Sequence, residues 1–95
     1  MNARTASPRV SVIIPAYNSA RFLPRALASV FAQTRNDYEI VVVDDGSTDN
    51  TPELAASYGN RIRYFRQENG GAASARNAGA GEARGELLAF LDADD

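Results

Sequence analysis

The sequence predicts an α/β fold: an open, parallel sheet with helices on both faces. Three observations carry that reading. Four short apolar runs, at residues 10–14, 38–43, 62–66 and 86–91, alternate with three segments of helical spacing. The connections between them are short, as in consecutive βα units. Polar or acidic residues follow the carboxyl end of every run, which is the end where open parallel sheets bind ligands.

Residues 10–14 (VSVII) are β-branched and apolar and run into Pro15, as a buried parallel strand would. Pro15, Ala16, Tyr17 and Asn18 form a turn, and Asn18 or Ser19 can cap the helix that follows. Leu23, Leu27 and Val30 then recur at helical spacing beside Ala26. Pro24 fits only a first turn, so the regular helix is expected from Phe22 or Leu23. Residues 38–43 are nearly all apolar and read as a central strand that stops at Asp44 and Asp45. Thr51 is placed as the cap of a second helix, with Pro52 at its first position and an end near Tyr58. Residues 62–66 alternate and suit an edge strand. A small-residue helix is expected over residues 72–83, where Gly79 and Gly81 weaken the helix but allow close packing on the sheet. Residues 86–91 form the fourth strand and lead into Asp92, Asp94 and Asp95.

At 95 residues the chain holds one domain, taken as residues 9–95 behind a disordered lead-in at 1–8. Its net charge of −2 argues against a general nucleic-acid binder. With His 0 and Cys 0, the chain contains no Ser–His–Asp triad, no thiolate site and no imidazole acid–base catalyst. Any metal must be held by oxygen, which favours Mg, Mn or Ca over Zn. The lack of Cys fits a reducing compartment, so a cytoplasmic location is expected, at the inner membrane face if a longer parent is anchored there.

Right-handed crossovers leave few strand orders, and 3-2-1-4 is the one expected. Its reversal falls between the first and fourth strands, which would set Tyr17 and Asn18 beside Asp92 and Asp94. No glycine-rich phosphate loop follows the first strand. Carboxylates facing a phosphate repel it unless a divalent cation lies between them. The physical reading is therefore metal-assisted binding of a phosphorylated small molecule, with an acidic turn as the plain alternative.

Four strings carry a more specific resemblance: VSVIIPAYN at 10–18, VVVDDGSTD at 41–49, ENGGAASARNAGA at 68–80 and LLAFLDADD at 87–95. In order and spacing they resemble the N-terminal part of family-2 glycosyltransferases. The resemblance implies a Rossmann-like sheet forming the N-terminal part of a GT-A fold. It implies a nucleotide-diphosphate sugar as donor, most simply UDP- or GDP-linked, with Mn or Mg as cofactor and inversion at the sugar. Pro15, Ala16 and Tyr17 would line the nucleotide pocket, the tyrosine against the base. Asp45 would contact base or ribose, while Asp44 would do so or orient the loop. Arg76 would approach base or phosphate. Asp92 would touch ribose or metal, and Asp94 would hold the metal, with Asp95 as substitute.

The general base of the family would lie after Asp95, so no catalytic residue is expected within residues 1–95, and the chain alone is expected to be inactive. A bare fourth-strand edge would invite self-association. A non-catalytic nucleotide-binding or protein-interaction module is the alternative reading.

Overall fold

In the computed structural model, residues 8–93 are described. The expected lead-in at 1–7, and Asp94 and Asp95, lie outside the described residues. Pro8, assigned to the lead-in, is buried, and the Arg9 N–H donates to the Asp37 carbonyl at 2.7 Å. Pro8 and Arg9 thus pack with the described fold.

The elements run β1 (Val10–Ala16), α1 (Leu23–Phe31), β2 (Tyr38–Asp44), α2 (Thr51–Ala56), a single 3-10 turn (Gly59–Arg61), β3 (Arg63–Arg66), α3 (Ala72–Glu82) and β4 (Leu87–Phe90). All neighbouring strands are parallel and the order is β3-β2-β1-β4, the order expected. β1 pairs with β2 from Val10↔Tyr38 to Ala16↔Asp44, and with β4 from Val10↔Leu87 to Ile13↔Phe90. The reversal of chain direction across the sheet thus falls at β1, between β2 and β4.

Side chains alternate along β1 and β2, so the sheet divides the core in two. Ile14, Ala16, Ile40 and Val42 face α1 and α2, where they meet Leu23, Leu27, Val30 and Ala55. Ile13, Val41 and Val43 face α3 and meet Ala75. β2 is buried along residues 40–44, as a strand covered on both faces must be. Gly79 lets α3 settle against this second face: a Cβ there would come within 2.5 Å of the Ile13 Cγ2. Gly81 has no such role, since a Cβ there would meet nothing within 4 Å.

Two helix starts differ from expectation. Neither Asn18 nor Ser19 caps α1 with its side chain; the cap is Phe22, and the Ser19 carbonyl accepts the Phe22 and Leu23 N–H groups. The Ser19 hydroxyl instead donates to the Tyr17 carbonyl, and the Asn18 Oδ1 accepts from the Thr48 N–H. Thr51 is the first residue of α2, not its cap, which is Asn50; the Thr51 N–H donates at 2.9 Å to the Asp49 carboxylate. The helix also ends at Ala56, before Tyr58, because Gly59 at φ +58 turns the chain into the 3-10 segment.

Candidate functional site

Beyond the carboxyl ends of β1 and β4 lies an open cleft of about 400 Å³. Its wall on one side is the end of β1, where Pro15 and Ala16 continue the strand instead of opening the expected turn, and the turn beyond it, with Tyr17 and Ser19. Its floor and far wall come from Asp45, Asn69 and the first turns of α3, including Gly71, Ala75 and Arg76, and Asp92 closes it from the end of β4. Of the donor-binding candidates, Pro15, Ala16, Tyr17, Asp45, Arg76 and Asp92 are brought together here. The predicted order makes this possible, because only β1 separates β2 from β4.

The cleft is small because its builders are small. Gly70 and Gly71 bring the loop in, and Ala72 and Ala75 keep the near face of α3 short. Tyr17 stands 50% exposed where it lines the cleft. Arg76 is half-buried and Asp92 is exposed. Among the described residues nothing donates a hydrogen bond to the Asp92 carboxylate.

The two acids after β2 behave differently. Asp44 is fully buried and does not line the cleft. Its carboxylate accepts from the Ser47 N–H at 2.8 Å, from Arg66 at 3.1 Å and from the Tyr64 hydroxyl. Arg66 also donates to the Ser47 carbonyl at 2.8 Å. Of its two expected roles, Asp44 takes the loop-orienting one: it pins the 44–47 turn to the edge strand β3. The same contact affects Tyr64: burial, then its bond to Asp44, pushes its hydroxyl up to about 12, against the opposing pull of Arg66.

Asp45 reaches the cleft but is almost saturated. One oxygen accepts from Gln67 and from the Gly70 N–H, both at 2.8 Å; the other accepts from the Gly71 N–H at 2.9 Å and Asn69 at 3.3 Å. Burial alone would raise this carboxyl, but the bonds from Gln67, Gly70 and Gly71 outweigh it and hold it below the usual carboxylate range. Asp45 therefore anchors the 67–71 loop and the start of α3. Gly46, at φ +80, makes this approach possible, since a Cβ there would lie 2.9 Å from the Asn69 nitrogen.

The Asn18 carboxamide accepts from the Thr48 and Asp49 N–H groups, and Asn18 is not among the residues that line the cleft with Asp92. Ser19, Asn69, Gly71, Ala72 and Ala75 also line the cleft, although none was a donor-binding candidate. The pair Gly70-Gly71 before a small-residue helix was the available signal, since it permits a loop to pass close to a ligand. The donor set suits a hard cation, because every candidate is a carboxylate oxygen. No group of three acidic side chains is assembled for a metal among the described residues. Asp45 is heavily hydrogen-bonded, whereas no described residue donates to the Asp92 carboxylate.

A larger hollow, about 510 Å³, lies at the amino ends of the strands, between Phe31, Tyr38, Arg61, Ile62 and Arg84. It is at the wrong end of the sheet for the reversal crevice, and Glu39 there is consumed by Ser11, Arg63 and the Arg84 N–H.

The sheet order and its crevice define the Rossmann-like part of a GT-A fold. The chain superposes on S. aureus TarS 1-349 with a TM-score of 0.84 and 36% identity, covering 92% of this chain and 28% of TarS. The structure of TarS 1-349 in complex with UDP-GlcNAc gives 0.80. The mannosyltransferase PcManGT from Pyrobaculum calidifontis, in complex with GDP-Man and Mn2+, gives 0.76 at 35% identity, over 96% of this chain and 29% of that one. In sequence the chain is 48% identical over 95 residues to the uncharacterized glycosyltransferase RT0329 of Rickettsia typhi, and 52% identical over 91 residues to the uncharacterized glycosyltransferase alr2836 of Nostoc sp.. It spans only 30% and 28% of those two proteins. The model of glycosyl transferase family 2 matches residues 11–95, and the chain belongs to that family.

Proposed function

We propose that the chain is the donor-binding part of an inverting, metal-dependent glycosyltransferase that moves a sugar from a nucleoside diphosphate to an acceptor hydroxyl. The observation that carries the reading is the cleft at β1 and β4, where a half-exposed tyrosine, an arginine and an unengaged carboxylate meet. Tyr17 offers a platform for the base. Arg76 supplies positive charge toward the phosphates. Asp92, with Asp94 or Asp95 beyond it in the sequence, is the set that would hold Mn or Mg. A divalent ion so held neutralises charge on the departing diphosphate. Asp45 contributes indirectly, by fixing the loop and helix that present Arg76. Deprotonation of the acceptor needs a base, and no described residue is assigned that role. Support for the donor class comes from TarS, solved with UDP and UDP-GlcNAc, and from PcManGT, solved with GDP-Man and Mn2+.

Calorimetry with UDP and GDP, each with and without Mn2+, tests this. Binding of at least one nucleotide, strengthened by Mn2+, is the expected outcome. Asp92→Asn should weaken the metal-dependent component roughly tenfold or more, the scale of one charge-assisted contact. Failure of both nucleotides to bind under either condition would leave an interaction module as the better reading.

A further inference from the structure

We infer that Asn18 is a positioning residue for the cleft: it locks the turn that carries Tyr17, so that the ring meets the base already oriented. The inference rests on the reading of Tyr17 as the base-facing residue. Asn18 has φ +49 and is the only non-glycine residue with positive φ among the described residues. Asparagine enters this region at low cost, whereas a β-branched or bulky residue would not.

Its side chain then clasps a second turn. The Oδ1 accepts from the Thr48 N–H at 2.7 Å, the Asp49 N–H at 3.2 Å and the Thr48 hydroxyl at 3.3 Å. The Asn18 N–H donates to the Ser47 Oγ at 2.9 Å. The next two residues continue the seam: the Ser19 N–H donates to the Thr51 Oγ1 at 3.1 Å and the Ala20 N–H to the Asp49 carboxylate at 3.3 Å. On the other side of Tyr17, the Asp45 N–H donates to the Ala16 carbonyl at 2.8 Å. The Ser19 hydroxyl accepts from the Tyr17 N–H and donates to the Tyr17 carbonyl, both at 3.1 Å.

The ring itself has no such support. It is half exposed, and its hydroxyl bonds to none of the described residues. The backbone beneath it limits where it can point, and that backbone is held through Asn18 together with Ser19 and Asp45. A backbone ordered in this way loses less freedom at the moment of binding, which raises affinity. A residue that merely closed a turn would serve stability alone.

The two roles separate by measurement. Asn18→Gly keeps the backbone freedom and deletes the carboxamide. Asn18→Asp keeps the accepting oxygen opposite the Thr48 and Asp49 N–H groups. With UDP and GDP as probes in calorimetry, Asn18→Gly is expected to raise Kd roughly tenfold and Asn18→Asp to stay within about threefold of wild type. The amide heteronuclear NOE of Tyr17, recorded without nucleotide, is expected to fall in Asn18→Gly and to recover in Asn18→Asp. Wild-type Kd in Asn18→Gly, or an unchanged NOE, overturns the inference, whatever happens to the melting temperature. If the wild-type protein binds neither nucleotide, the donor-site reading fails, and the NOE comparison still decides whether Asn18 orders the turn. Should Asn18→Gly fail to fold, Ser47→Ala removes only the acceptor for the Asn18 N–H and is read in the same way.

Discussion

Asp45 shows how much of a residue's role depends on what reaches it. Two adjacent aspartates end β2, yet one is sealed by Tyr64 and Arg66 and the other is filled by a loop from across the sheet. Asp45→Asn would turn one accepting oxygen into a donor facing donors, so a loss of about 1–3 kcal/mol is expected in denaturant unfolding. Partial desolvation alone would push Asp45, Glu39 and the more exposed Asp49 up, and each is held down instead by hydrogen bonds, from the 67–71 loop for Asp45, from Ser11, Arg84 and Arg63 for Glu39, and from Thr51 and Ala20 for Asp49. Their ordinary values are 3.8 for the aspartates and 4.5 for the glutamate. The folded chain binds these protons more weakly than the unfolded one. Their stabilisation is therefore full above those values and is lost as pH falls below them through the depressed folded values. Tyr64 works at the other limit: raised from 10.0 to about 12, it stabilises below pH 10.0, and that contribution fades as pH rises through about 12. Unfolding curves across pH should show both limbs, and Tyr64→Phe should flatten the alkaline one.

Among the elements, α3 and β4 are placed by glycines more than by apolar side chains. α3 buries only Ala75 and Gly79. Its hold on the sheet depends on how closely its backbone approaches Ile13 and Val43, so Gly79→Ala should cost about 1–3 kcal/mol by overpacking despite the better helix propensity of alanine. Gly85 is tighter still, because an added Cβ would lie 2.8 Å from the backbone of Val10 and its neighbours. Backbone cannot swing aside as a side chain can. Gly85→Ala should therefore shift β4 away from β1, read as faster amide exchange at Leu87 and Leu91, whose N–H groups donate to the Arg9 and Ile13 carbonyls. The helix α1 and the strand β2 were legible in sequence because apolar periodicity writes burial directly. The start of α2 was not, because Thr51 suits a cap and a first turn equally well until Asp49 is seen to accept its N–H.

At the scale of the molecule, the sheet has one edge that polar residues protect and one that they do not. On the β3 side, Arg63 and Arg66 flank the strand and are bonded to Glu39 and Asp44. On the β4 side, Leu87, Leu88 and Phe90 are 49%, 44% and 52% exposed. Unpaired strand backbone beside apolar side chains invites pairing with another strand. The chain as it stands is expected to self-associate through β4. Sedimentation velocity across a concentration series should show a rising weight-average mass, and Phe90→Lys should suppress it; a wild-type monomer at every concentration would refute the expectation.

By itself the sequence determined the number, order and direction of the strands, since apolar runs and helical spacing record which faces are buried, and right-handed crossovers leave little choice of order. It also marked the cleft, because polar turns after parallel strands gather at one end of the sheet. Only the tertiary structure decided what each polar group does there. Hydrogen-bond partners lie far apart in sequence, with Asp45 meeting residues 67–71 and Asn18 meeting Thr48, and no local pattern encodes such pairings. That is why Tyr17 and Asp92 stand open in the cleft, while Asp44, alike in sequence, is closed off beneath it.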